Sequence, residues 1–367
     1  MSNRSSTVEG TWRIPATISR AGCPSQNSKM KKNSHNLVPP GLSYIAGNIN
    51  SRDNILGLPV EARAKWAEGL EFSADRSTVF FAGCGYQYSS MLEPLVSLVR
   101  TADRMSIDPD LPVVLAGIPK KLGVDVAGLY TRVLSRDGGG DGNVLRDAVS
   151  VLKYLGFEPG YLGADEPCCG APLYHMGLRN EFAANAAKAV ARFRSQGVRK
   201  IVSIVPSCTY ALRTLFAAAL PGYDLEVRHF IEEVADRIKP GQFRYPRKVK
   251  VTYHDPCQLG RYMGLIDQPR GVLRAIENLE LSEPQWTSGE WSTCCGGGGG
   301  FEVVFPDMSQ TLAEGRVREL AETGADIIAT QCPGCLMQLK SGLKALKKDE
   351  IEVVDLATLL ARSMNTK

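Results

Sequence analysis

From residue 77 onward, short apolar runs alternate with amphipathic stretches. Thr78–Ala82 (TVFFA) is apolar after its first residue, the pattern of a strand buried on both faces, and it delivers Gly83-Cys84 at its carboxyl end. Glu181–Gln196 sets Phe182, Ala186, Ala189, Val190 and Phe193 on one helical face, and Gly197 supplies a stop. Ile201–Val205 is a second buried-strand run, ending at Pro206-Ser207-Cys208. The order then recurs. Val249–Tyr253 leads to His254-Asp255-Pro256-Cys257. Asp307 is placed to cap a helix running to about Thr323, with Ala313, Val317, Leu320 and Ala321 on its apolar side and Gly324 as the stop. Ile327–Thr330 ends at Gln331-Cys332-Pro333-Gly334-Cys335. Strands alternating with helices predict α/β architecture: two duplicated Rossmann-like domains with short parallel sheets.

The first 75 residues read differently. Met1–Asn54 is rich in Ser, Asn, Pro and Gly with little periodicity, which predicts a largely irregular arm, and Pro59–Leu70 predicts a short helix. The expected organisation is therefore an irregular N-terminal arm over 1–75, a first domain over 76–245 and a second over 246–367. Residues 102–143 are surplus in the first domain and, with the Gly138–Gly142 run, read as an inserted loop or lobe; no Gly-Lys-Ser/Thr follows that run to make it a phosphate loop.

Nine of the ten cysteines fall where the repeats align. In the second half Cys257, the pair Cys294-Cys295, and Cys332 with Cys335 make five thiols, with 36 residues in each interval. Tetrahedral zinc takes four ligands, so five thiols point to something larger than one metal ion. The first half has Cys84, Cys168-Cys169 and Cys208, and Val205 stands where the second half has Cys332. Four thiolates suit zinc or an ordinary cubane, so this set is open between an iron–sulfur cluster, zinc and no metal. Helix N-termini next to the strand ends lower thiol pKa, and the glycines Gly296–Gly300 let backbone N–H groups approach sulfur. His254, beside Cys257, is the candidate proton donor for a leaving thiolate, with a structural role as the alternative. His175 has a weaker claim of the same kind, while His35 and His229 read as surface or core residues and Cys23 as an unpaired thiol. Tyr86, Tyr88 and Tyr174 read as packing around a cluster.

Bulk composition narrows the setting. No apolar stretch spans a bilayer, since even Val113–Tyr130 is broken by Lys120, Lys121 and Asp125, and no secretory leader is legible. A cytoplasmic protein is expected, peripheral to a membrane only through partners, where thiols bind metal more often than they form disulfides. A formal net charge of +4 with spread basic residues gives no case for nucleic acid.

The segments Pro167-Cys168-Cys169-Gly170, Tyr253-His254-Asp255-Pro256-Cys257, Thr293-Cys294-Cys295-Gly296-Gly297 and Cys332-Pro333-Gly334-Cys335 resemble the cysteine-rich CCG domain found in the B- and D-type components of heterodisulfide reductase, over about 76–362. Asn54–Leu70 resembles the linker before that region in the D-type components. The resemblance implies two CCG domains whose cysteines bind noncubane [4Fe-4S] clusters. It implies a complete ligand set in Cys257, Cys294, Cys295, Cys332 and Cys335 and an incomplete one in Cys84, Cys168, Cys169 and Cys208. It further implies an oxidoreductase subunit that takes electrons from flavin- or ferredoxin-type electron-transfer subunits, or serves a membrane quinone-reactive subunit, and passes them to a thiol/disulfide substrate or another redox carrier. The alternative is a noncatalytic zinc- or cluster-bearing structural subunit.

Overall fold

The computed structural model describes residues 38–104 and 144–365. Cys23, His35, the Gly138–Gly142 run and most of the expected insertion lie outside the described residues.

Two four-stranded sheets account for the duplication. The first contains β1 (Thr78–Phe81), β2 (Gly160–Tyr161), β3 (Lys200–Ser203) and β4 (Glu226–His229) in the order β2-β1-β3-β4. The second contains β5 (Phe243–Tyr253), β6 (Ile276–Leu281), β7 (Ile327–Thr330) and β8 (Glu352–Asp355) in the order β6-β5-β7-β8. Every pairing is parallel. Even the register repeats: Thr78 lies opposite Lys200 in the first sheet as Val251 lies opposite Ile327 in the second. The central strands are buried because helices cover both faces, as continuous apolar runs require. Phe182, Ala186, Ala189, Val190 and Phe193 of helix Arg179–Ser195 are buried, as are Ala313, Val317 and Leu320 of helix Pro306–Ala321. Each large apolar side chain so buried stabilises the fold by roughly 1.5–3 kcal/mol.

The described part of the N-terminal region departs from the expected irregular chain. Pro40–Arg52 is an α-helix that buries Ala46 and Ile49, and Val60–Ala67 is a 3-10 helix rather than an α-helix. Tertiary burial here overrides weak local propensity. Asn54 organises the link between the two, its Oδ1 accepting from the Leu56 and Leu58 N–H groups at 3.1 and 3.0 Å. At the later helix, Phe305 occupies the N-cap position and Asp307 lies inside the first turn, so its charge faces the dipole without capping.

One apolar core runs through both halves, and a smaller separate cluster in the second half includes Cys295 and Cys335. The Tyr86 phenol of the first half donates to the Asp355 carboxylate at the end of β8, and a Cβ on Gly85 would lie 2.7 Å from Pro333 Cγ. Thr358 Oγ1 donates to Asp147 Oδ2 at 2.6 Å nearby.

Candidate metal centre

The second sulfur set is assembled at strand ends. Cys257 opens helix Cys257–Met263 after β5. Cys332 is the N-cap of helix Pro333–Leu346 after β7, and Cys335 sits in its first turn. Cys294-Cys295 enters from the turn before the glycine run. Cys295 Sγ and Cys335 Sγ are 3.1 Å apart, and the Gly296 N–H donates to Cys294 Sγ at 3.3 Å. The remaining sulfurs join by mutual contact: Cys294 with Cys295, Cys332 with Cys335, and Cys257 within electrostatic reach of Cys332 and Cys295. Cys294, Cys295, Cys332 and Cys335 thus form one chain of neighbours, with Cys257 facing it from the end of β5.

Their electrostatics show what such a group requires. Burial pushes Cys257 up to about 11. The hydrogen bond to Cys295, then burial, raises Cys294. Hydrogen bonds to Cys295 and Cys332, then burial, raise Cys335. Cys295 is the exception, held well below the usual thiol range by hydrogen bonds from Cys294 and Cys335, with His254 adding to the effect against burial. One thiol held low beside three held high is a site short of positive charge, which a bound metal would supply. Cys295 and Cys335 are buried, Cys257 and Cys332 half-buried and Cys294 exposed, so the set opens to solvent on one side. Exposed Tyr262 lies on the helix that Cys257 opens, exposed Trp286 and Trp291 precede the Cys294-Cys295 turn, and exposed Phe305 and Met308 lie at the start of helix Pro306–Ala321.

Polar side chains pin this loop system. Asp255 is buried and held by Arg270 through two bonds of 2.7 and 2.9 Å, and it accepts from the Gly289 N–H at 2.8 Å. Arg270 also binds Glu283, and these carboxylates raise the guanidinium pKa against its burial. His254 is buried; its N–H donates to Ala329 O at 2.9 Å and its carbonyl accepts from Thr330 Oγ1 at 3.2 Å, fixing it to β7. Its Nδ1 accepts from Arg316 Nε at 3.1 Å. Ligand atoms of His254, Cys295 and Cys335 all lie within 4.8 Å of one another. Arg316 is buried too, bonded to Thr287 O at 2.9 Å and Glu319 at 2.8 Å, and burial lowers its pKa.

The first set uses the same frame. Cys169 Sγ and Cys208 Sγ are 3.1 Å apart, the Gly170 N–H donates to Cys168 Sγ at 3.4 Å, and Cys84 hydrogen-bonds Cys168. Cys168, Cys169 and Cys208 are buried and Cys84 half-buried, so this set is enclosed. No sulfur occupies the fifth place: Val205 is buried there, its Cγ2 2.9 Å from where a Cβ on Gly83 would sit. Glu166 lines the small cavity beside these thiols. Its carboxylate accepts from the N–H groups of Ala82 and Gly83 at 2.9 and 3.0 Å, and burial pushes its pKa up to about 7. Arg63 donates to the Glu166 carbonyl and to Asp53 O, tying the N-terminal segment to this set.

The other singled-out residues have structural partners. His229 is buried, caps helix Phe230–Arg237 by accepting from the Ile231 N–H, and is lowered to about 3 by burial. His175 is lowered by burial and then by Arg179. Tyr174 lies under the Arg179 guanidinium at 3.3 Å and edge-on to Phe182 at 5.3 Å. Tyr88 is buried. Sequence reasoning passed over Arg316, Arg270, Glu166 and Arg63. Arg316 did leave a signal: it is a charge on the apolar face, three residues after Ala313 and next to Val317.

Two parallel sheets, each with cysteines gathered at its strand ends and a Cys-Cys-Gly turn, define a duplicated cysteine-rich domain. The sequence matches the family described as "Cysteine-rich domain" (CCG) twice, over 134–213 and 251–340. The second match contains all five clustered thiols; the first contains Cys168, Cys169 and Cys208 but begins after Cys84. Among curated relatives, the chain is 36% identical over 223 residues to the D component of the dihydromethanophenazine:CoB–CoM heterodisulfide reductase of Methanosarcina acetivorans, covering 58% of this chain and 53% of the relative. It is 33% identical to the EtfAB:quinone oxidoreductase of Syntrophomonas wolfei, over 59% of this chain and 31% of that one. It is 32% identical to the probable iron-sulfur-binding oxidoreductase FadF of Bacillus subtilis, over 58% and 30% respectively. The matched region thus spans about half of the first relative and about a third of the other two.

Proposed function

We propose that this chain is an iron–sulfur oxidoreductase subunit. Cys257, Cys294, Cys295, Cys332 and Cys335 would hold a noncubane [4Fe-4S] cluster, and Cys84, Cys168, Cys169 and Cys208 a second metal centre, iron–sulfur or zinc. The observation that carries this reading is a set of five cysteines, one more than zinc takes, carried by the strand ends and turn of one sheet, with Cys295 and Cys335 Sγ 3.1 Å apart and Cys294 open to solvent. When bound, a multi-iron cluster supplies one-electron redox change and open iron valences. The chain's own part is to present thiolates from helix N-termini, to donate backbone N–H groups to sulfur and to leave one side accessible. The reaction class is reduction of a disulfide or another carrier: breaking one S–S bond takes two electrons and two protons and yields two thiols. The electrons come from a flavin- or ferredoxin-type partner, which is oxidised, and the protons from solvent. The names of the relatives, all redox proteins, favour this class, and a quinone-reactive membrane partner fits the second of them. Among the described residues no helix is long and apolar enough to cross a membrane.

Anaerobic purification followed by iron, acid-labile sulfide and zinc assay tests the proposal. Iron and sulfide with visible absorbance are expected; zinc alone would refute it in favour of a structural subunit, which the four-thiol first set would suit. Cys295→Ser is expected to abolish the paramagnetic signal of the second set while circular dichroism stays unchanged.

A further inference from the structure

Beyond the cysteines, the shared register of the two halves exposes a difference in what surrounds them. Aligned on Cys84 and Cys257, His254 falls on Phe81; aligned on Cys208 and Cys335, Gln331 falls on Ile204. The buried faces of helices Arg179–Ser195 and Pro306–Ala321 align as Ala186 with Ala313, Val190 with Val317 and Phe193 with Leu320, which sets Arg316 on Ala189. All six residues are buried. The second half has thus put polar groups at three interior places where the first half has apolar ones.

Burying polar groups is unfavourable unless they are hydrogen-bonded. Yet Arg316 Nη2 and both amide atoms of Gln331 are buried with no hydrogen-bond partner among the described residues, and His254 Nε2, buried likewise, has only the Cys295 sulfur to turn to. The guanidinium has no acceptor, so the Arg316 bond to Nδ1 leaves the proton of the neutral ring on Nε2. That ring lies within 4.8 Å of the Cys295 and Cys335 sulfurs, and Gln331 immediately precedes Cys332. A buried donor beside a sulfur set is a group a metal–sulfur core would satisfy: the His254 ring is placed there, and the Gln331 Nε2 donor belongs to the residue that leads into Cys332.

Resting on the iron–sulfur reading above, we infer that His254, oriented by Arg316, and Gln331 form a donor cradle that makes the second sulfur set the half that accumulates electrons. Donors and a buried cation stabilise the more negative, reduced state of a metal–sulfur group, and so raise its potential. At the matching places Phe81, Ile204 and Ala189 offer no donor, and the buried cation beside the first set, Arg63, is opposed by the Glu166 carboxylate next to it. The step is a single electron transfer: a flavin- or ferredoxin-type carrier is oxidised, the group at the second set is reduced, and no bond or proton moves. His254 is then a positioning residue that holds one N–H in place.

The test imports the first half's residues. Full-length chain, anaerobically reconstituted with iron and sulfide, is titrated by EPR-monitored potentiometry as wild type, His254→Phe, Gln331→Ile and His254→Gln. Losing one donor to a charged sulfur is expected to lower the reduced-to-oxidised ratio at fixed potential about tenfold, ~59 mV for a one-electron couple. His254→Phe and Gln331→Ile should each move the midpoint negative, and His254→Gln, which keeps a donor, should restore most of the shift. A second-site signal titrating at the wild-type midpoint in both apolar variants would overturn the inference; if His254→Phe does not fold, Gln331→Ile decides. Wild-type chain without any iron–sulfur signal would instead overturn the functional reading and this inference with it.

Discussion

Replacing Gly296 with alanine should damage the second site more than the same change at Gly299, although both glycines have positive φ. Gly296 has φ +85°, and a Cβ there would lie 2.2 Å from Ser309 O and 3.3 Å from Ala313 N. Those atoms are helix backbone, which cannot turn aside as a side chain would. The left-handed conformation costs a residue with a Cβ roughly 1–2 kcal/mol, and forced overpacking adds about 1–3 kcal/mol. Gly299 has φ +67° with its nearest contact, His175 Cβ, at 3.8 Å, so only the conformational part applies. Urea unfolding of the metal-free, reduced proteins, followed by circular dichroism, should place the Gly296→Ala midpoint below that of Gly299→Ala at unchanged slope. Because the Gly296 N–H also donates to Cys294 Sγ, iron retention should fall in the same order. Coincident midpoints for the two variants would refute the close-approach reasoning.

Burial lowers His229 from its ordinary value to about 3, so its neutral form is the folded one. Its contribution is complete above pH ~6.5 and is lost as pH falls from there towards 3, by about 2 kcal/mol at pH 5; His229→Asn, which can still cap, should flatten the acid side of a stability–pH curve. Arg270→Met leaves Asp255 buried without its partner and should destabilise by about 3–5 kcal/mol in denaturant unfolding, with Asp255→Asn recovering part in a double-mutant cycle. Val205→Cys, close to volume-conserving, should change stability by less than ~1.5 kcal/mol while raising iron bound per chain; unchanged iron content would show that the missing thiol does not limit the first set.

The duplication was legible because buried parallel strands write continuous apolar runs, and each run ends at a cysteine. β1, β3, the end of β5 and β7 therefore fell within a few residues of their expected positions. What escaped was decided by tertiary contact. Pro40–Arg52 is poor in helix formers and becomes a helix by burying Ala46 and Ile49. Phe305, with no side-chain cap bond, holds the N-cap position where Asp307 was expected, because the short helix Phe301–Val304 ends directly before it. The partner of His254 comes from 62 residues away, and the Tyr86–Asp355 bond joins residues 269 apart, beyond the reach of any local pattern.

What the two halves retain and what they lost separate the binding frame from the chemistry. Both keep the 3.1 Å sulfur pair and the glycine N–H on the first cysteine of the doublet. Those features are set by backbone at strand ends and survive almost any change of neighbours. The surroundings diverged: Val205 for Cys332, an enclosed set wired through Glu166 and Arg63 against an open one at Cys294. An enclosed centre can exchange electrons through protein but admits no molecule, whereas an open one can do both. In the function proposed, then, substrate meets the chain at the second half. The first half faces it through Gly85 against Pro333 and through Tyr86, whose phenol lies within electrostatic reach of Cys332 and Cys335. In that function the pair of sites has a direction, because only the open one can release electrons to a bound molecule.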